Sequence, residues 1–370
     1  MNKKFWATTF TLTGTIIGAG ILGLPYVFAK SGFLVGVGWL ILLGTIMILA
    51  KLYLGELALR TKKQHQLPGL AEKYLGKKGK KIMFFAMVFG IYSALLAYLI
   101  GEGESFSHLI FGHTAYAIYF GFAFWLLMVL LLTKGLAGLK KVETWGVIAI
   151  ILIVLGIFIW FLPSVNVENL VQTDSSNFFL PFGVILFALL GFVAIPELEK
   201  TIKGQEKNLK KAIILGVSIP ILLYILFPLI FVGILGNKVE QVATISLGPI
   251  VTLLGIFTMF TSYFALSFSL KSMFKEDFKS SNRKTFFWVA LFPLLLFLII
   301  KIFNIAGFIS ILGIGGVISG GLTGILILLM HRKARKHSDM KPEYKMRSNW
   351  FIIILLSVIF ILGTLTELFF

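Results

Sequence analysis

The sequence has no cysteine among its 370 residues. Disulfides, thiolate chemistry and cysteine-bound metals are therefore excluded. Charge is also scarce: Asp, Glu, Lys and Arg make up 14% of the chain, with 16 acidic residues against 34 basic ones. The five histidines fall in loops or near helix ends, and His108 and His113, five apart, do not share a helix face. No metal site is expected. A phosphate-binding Gly-rich loop with its lysine is missing, as is any Ser-His-Asp order, so neither direct use of ATP nor an enzyme activity is expected, and no cofactor is implied.

What the chain does have is apolar surface. Apolar residues account for 58%, Phe alone for 37 residues, and the mean hydropathy is +0.95. A soluble domain of this size has no core large enough to hide them, so the excess must face lipid. Eleven apolar segments are long enough to span a bilayer as helices: roughly 5–29, 33–60, 82–104, 115–134, 142–162, 178–200, 208–235, 247–272, 285–303, 306–331 and 349–369. The first is read as an uncleaved helix rather than a signal peptide.

The basic residues order these segments. With the N-terminus inside, thirty of the 34 Lys and Arg fall in cytoplasmic ends and loops. Lys30, Lys238 and Lys301 stay outside, together with Glu102, Glu104, Glu168, Asp174 and Glu240, and Lys51 lies inside a helix. This is the positive-inside pattern of a multi-pass protein of the cytoplasmic membrane, with an external C-terminus. It accounts for the net charge of +18 through the lipid bilayer as partner, so no nucleic acid is expected.

A second pattern is internal. Gly20-Ile-Leu-Gly-Leu-Pro25 in the first segment and Gly191-Phe-Val-Ala-Ile-Pro196 in the sixth both read Gly, four residues, Pro, at an offset of 171. The same offset carries the third segment near the eighth and the fifth near the tenth. The first segment runs outward and the sixth inward, so the two five-helix halves have opposite topologies, as in an inverted-repeat transporter. The expected units are residues 1–171, residues 172–331, and 332–370, a cytoplasmic basic loop with an extra eleventh helix.

Chemistry is expected where helices break. Gly14, Gly18, Gly20, Gly23 and Pro25 are poor material for an uninterrupted helix. Unwound backbone at membrane depth must satisfy its polar groups elsewhere. Free N–H groups at Ile17, Gly18, Ala19 and Gly20 suit a carboxylate and free carbonyls suit an ammonium, and an α-amino acid presents both. Close helix packing through small residues is the competing reading. Phe187, Gly191 and Phe192 border the second break, and Tyr98 offers a hydroxyl from the third segment. The tenth segment holds seven glycines, of which Gly316, Gly320 and Gly324 are four apart and share a face, and they read as close packing or a hinge.

The stretch TIIGAGILGLPYVFAKSGF (residues 15–33) resembles the first-helix signature of the amino acid/auxin permease group, close to the bacterial hydroxy/aromatic amino acid permeases of the amino acid–polyamine–organocation superfamily. Residues 182–197 with Tyr224, and Thr261-Ser262 followed by Lys271, are similar to the sixth to eighth helices of that group. The resemblance covers helices one to ten. It implies an all-α integral membrane fold of LeuT-like type: eleven helices, a five-plus-five inverted repeat with helices one and six broken, and one added C-terminal helix. It also implies amino-acid uptake driven by H+ or Na+. No acidic residue stands beside Gly191, where many relatives place one.

The expected function is secondary active symport of a neutral, apolar or aromatic, amino acid by alternating access. An amino-acid-sensing receptor subunit on the same scaffold is the alternative. For ion or proton coupling the candidates are Thr258, Thr261 and Ser262, whose hydroxyls suit Na+, and Lys51 paired with Glu197, both at cytoplasmic depth.

Overall fold

A computed structural model describes residues 3–63, 65–134, 139–276, 279–347 and 350–369. These residues are helical with short connections. Eight helices or helix runs are long and apolar enough to cross a membrane. A further pair, α1 (Lys3–Ile16) and α2 (Gly20–Ser31), forms one span bent by 57°. Two shorter apolar helices, Ala117–Leu132 and Ile354–Leu365, complete the eleven expected segments.

Helix α3 (Phe33–Leu59) follows α2 through Gly32, whose φ of 101° suits glycine. Helix α4 (Leu67–Phe111) is longer than the apolar run within it. Its first turns come from a stretch read as basic loop, because Leu67, Leu70, Ala71 and Tyr74 fall at helical spacing and bury one face. At Gly76 (φ 78°) the helix bends before entering the apolar stretch. Its C-terminal end overruns the expected boundary at residue 104. Glu102, expected among the external charges, is fully buried in this helix.

Helices α5 (Ala117–Lys134) and α6 (Leu139–Phe161) lead to a connection containing the short α7 (Val167–Val171). The sixth span is broken: α8 (Leu180–Ala188) stops, Gly191 takes a φ of 105°, and α9 (Ile195–Thr201) starts with Pro196 in its first turn. Helix α10 (Leu209–Leu235) packs against both halves of the broken first span. Helix α11 (Pro249–Glu276) packs against α4. The ninth span joins α12 (Asn282–Phe286) and α13 (Phe292–Ile302) through a π turn, and the tenth joins α14 (Phe308–Gly315) and α15 (Gly321–Lys336) through another. Helix α16 (Trp350–Phe369) packs against α15 and α8.

The segment before α16 is a strap across the basic face. The N–H of Met346 donates to Glu56 at 2.5 Å, Tyr344 Oη donates to the Leu52 carbonyl at 2.8 Å, and Tyr53 Oη donates to that of Arg347 at 2.6 Å. Glu56 also holds Arg60 at 2.7 Å and lies 2.9 Å from His331. Asp339 receives the Lys73 ammonium and the Lys62 N–H, which keep its carboxyl below the usual carboxylate range.

Candidate substrate site at the helix breaks

The first break is confined to Ile17, Gly18 and Ala19. The Ile17 N–H still reaches the Thr13 carbonyl, at 3.0 Å. Beyond it, the Ala19 N–H donates to Tyr98 Oη at 3.3 Å. Among the described residues, Gly18 and Gly20 N–H make no backbone bond. Both sit where α2 begins, at the positive end of that half-helix. Pro25, expected to mark the discontinuity, lies inside the continuous α2. The glycines set the break, and Pro25 acts one turn further on.

The second break lies against the first. A Cβ at Gly20 would collide with the Ala188 backbone, so the two half-helices meet in van der Waals contact through glycine. A Cβ at Gly191 would meet Ile16 Cγ1 at 2.8 Å. The hydroxyl of Tyr224 sits between the carbonyls of Ile16, at 2.9 Å, and Ala188, at 3.0 Å, and shares its single proton with both. One buried side chain of α10 thus ties the carbonyl ends of α1 and α8 together.

A cavity of about 110 Å³ adjoins the breaks. A single water needs roughly 10–15 Å³, so this space admits a small solute. Gly18, Ala19 and Gly20 line it from the first break, and Phe187, Gly191 and Phe192 from the second. Tyr98 closes it from α4, above Met87, Gly90, Ile91 and Ala94. Leu67, Val193, Leu266 and Thr323 extend the wall toward the face that carries the basic loops.

Seven of the eight substrate candidates named from the sequence therefore come together here: Gly18, Ala19, Gly20, Phe187, Gly191, Phe192 and Tyr98. Ile17 is buried behind the break rather than on the cavity wall. The coupling candidates fare differently. Lys51 is fully buried, but its ammonium donates to the Leu189 carbonyl at 2.8 Å and sits 4.8 Å from the centre of the Phe192 ring. Glu197 lies on the exposed side of α9. The expected Lys51–Glu197 pair is not formed, because the freed carbonyl at the α8 end takes the ammonium first. Thr258 and Thr261 donate to carbonyls of their own helix, Thr258 to Leu254 at 2.8 Å and Thr261 to Phe257 and Thr258 at 3.1 Å each. Ser262 alone of the three stands beside Tyr98, whose hydroxyl meets the Ala19 N–H.

Ser319 and Thr323 also line the cavity and were not anticipated. They lie four apart, one face over from the packed glycines of the tenth span. There Gly316 meets the Gly183 carbonyl and Gly324 the ring of Phe360. A Cβ at Gly90 would collide with Ser319, so that glycine admits the serine to the cavity edge. The i, i+4 hydroxyls beside a glycine face were the available signal. Among the described residues there is no cluster of His, Asp and Glu able to hold a metal.

Comparison with known proteins agrees with this geometry. The chain is 26% identical to tyrosine-specific transport system 1 of Haemophilus influenzae, over 99% of this chain and 96% of that protein. It is 24% identical to glutamine transporter 2 of Aliivibrio fischeri, over 91% and 90% respectively. Among solved structures, that of MhsT in complex with L-phenylalanine superposes with a TM-score of 0.67 at 17% identity, covering 100% of this chain and 98% of that one, which establishes a LeuT-like fold. The sequence profile of the tryptophan/tyrosine permease family matches residues 1–247 and 238–367, and the chain belongs to that family of amino acid transporters, which are membrane carriers and not enzymes.

Proposed function

We propose that this chain is a secondary active symporter that binds one neutral amino acid between the two helix breaks and releases it by alternating access. The observation that carries the reading is the meeting of the breaks at one cavity. Unpaired N–H groups at Gly18 and Gly20 lie at the positive end of α2, across from the carbonyl end of α8. The first suits a carboxylate and the second an ammonium. Met87, Ile91, Phe187, Leu190 and Leu266 supply an apolar wall for the side chain, which favours an apolar or aromatic substrate. The tyrosine carriers among the relatives and the L-phenylalanine bound to MhsT are consistent with that choice.

The two five-helix units, 1–171 and 172–331, act as inverted repeats in this reading. The N-terminus is cytoplasmic, the C-terminus external, and the host bilayer is the cell membrane. The cavity wall then runs from the breaks toward the cytoplasm, which fits a carrier positioned for release inside. H+ or Na+ supplies the driving force. A thermal-shift screen of the twenty amino acids, with and without Na+ and across pH, tests the binding claim. L-tyrosine, L-tryptophan or L-phenylalanine should raise the unfolding midpoint, because a ligand at 100 times its Kd adds about 2.7 kcal/mol. No shift with any amino acid would remove the site.

A further inference from the structure

Glu102 is buried at 0% exposure in the outer half of α4. Among the described residues, neither of its carboxylate oxygens has a hydrogen-bond partner. It lies nine residues from the outer end of α4, roughly 13 Å along the helix at 1.5 Å per residue. An ionised carboxylate there, with no cation and no donor, is expensive, and intramembrane acids retained in such places mark ion and proton paths. Glu102 also stands one turn outward of Tyr98, on the face that meets the first break. Ser105, one turn further out, is buried with an unpartnered hydroxyl. So is Thr244, in the 243–247 connection that packs on α2, α4 and α11. Tyr98, Glu102 and Ser105 thus set polar groups at one-turn intervals along α4, leading away from the substrate cavity with one carboxyl group among them.

The charged and titratable groups nearby are otherwise engaged. On α4 itself, Glu104 holds Lys301 of α13 at 3.0 Å, and His108 lies near the helix end. Tyr263 of α11 is buried with its ring edge-on to Tyr98 and Phe124, and Tyr119 of α5 is exposed. Helix α14 and the 243–247 connection carry no titratable side chain.

We propose that Glu102 carries the coupling proton. When the outer side is open, a carboxyl oxygen forms one O–H bond with a proton from the external water. The neutral acid is then occluded with the substrate. When the inner side opens, that O–H bond breaks and the proton leaves to water in the inner cavity past Tyr98, which lines its wall one turn along α4. No other bond changes. The inference rests on the transport reading above and selects H+ over Na+ as the driving ion.

The test uses purified full-length protein in liposomes with an internal pH dye and labelled L-tyrosine. The wild type should accumulate L-tyrosine down an imposed proton gradient and acidify the lumen as it does so, in the absence of Na+. Glu102→Gln keeps the shape of the neutral acid. It should still exchange L-tyrosine in counterflow within about twofold of wild type, yet lose gradient-driven accumulation and acidification by at least tenfold. Glu102→Asp should keep accumulation with a displaced pH profile. Full proton-driven accumulation in Glu102→Gln would overturn the proposal, as would wild-type accumulation that follows Na+ and ignores pH. Should Glu102→Gln fail to fold, Glu102→Asp decides, and an unchanged pH profile there overturns it. Counterflow in the wild type, with no proton-driven accumulation and no lumen acidification under the imposed gradient, sinks this inference alone. Absence of counterflow in the wild type sinks the transport reading and the inference together.

Discussion

At the scale of single residues, two glycines two positions apart have different jobs. Gly18 faces Tyr98, and a Cβ there would meet only the tyrosine hydroxyl, at 3.0 Å. Gly20 faces backbone, where nothing can yield. Gly18→Leu is therefore expected to leave the fold intact and to remove L-tyrosine binding. Gly20→Leu should destabilise the fold itself, by at least the roughly 1–3 kcal/mol typical of overpacking, and so lower the unfolding midpoint. Titration of purified variants by calorimetry, with melting curves beside it, checks both, and wild-type affinity in Gly18→Leu would contradict the assignment. The glycines were legible because a helix rarely tolerates four of them in ten residues. The partner of Lys51 was not. Its ammonium reaches the Leu189 carbonyl, a backbone atom freed by a break in another helix, and no side-chain pattern announces that.

At the scale of elements, the eleven spans were readable because lipid enforces long apolar runs. Their ends were less so. Helix α4 outlasts its apolar window of 82–104 at both ends, by an amphipathic stretch from Leu67 at one and through Phe111 at the other. The π turns at Phe287–Leu291 and Gly316–Gly320 leave no mark in periodicity, although the second coincides with the glycine-rich tenth segment. The connections are where orientation can be measured, and the absence of native cysteine makes that clean. Ser175→Cys, in an exposed connection after α7, should react with a membrane-impermeant thiol reagent applied to intact cells. Lys207→Cys, before α10, should react only after the membrane is opened. The reverse labelling would invert the topology and the direction assigned to the cavity.

At the scale of the whole molecule, the fold and the family follow from observations that agree: the spans, the two facing breaks and the relatives matched along almost the full chain. Seven of eight substrate candidates line one cavity because the family signature lies in the breaks, where backbone geometry restricts sequence most strongly. The unpartnered Glu102, to which the proposal assigns coupling, was harder to read, since which buried acid lacks a partner is a property of packing. Whether the site moves its ligand is the central question, and counterflow answers it most directly. Liposomes containing the wild-type protein and loaded with unlabelled L-tyrosine should take up external labelled L-tyrosine in a transient overshoot, while Gly18→Leu gives only the leak of empty liposomes. Saturable binding by the wild type with no overshoot would contradict the account and identify a receptor on a carrier's scaffold.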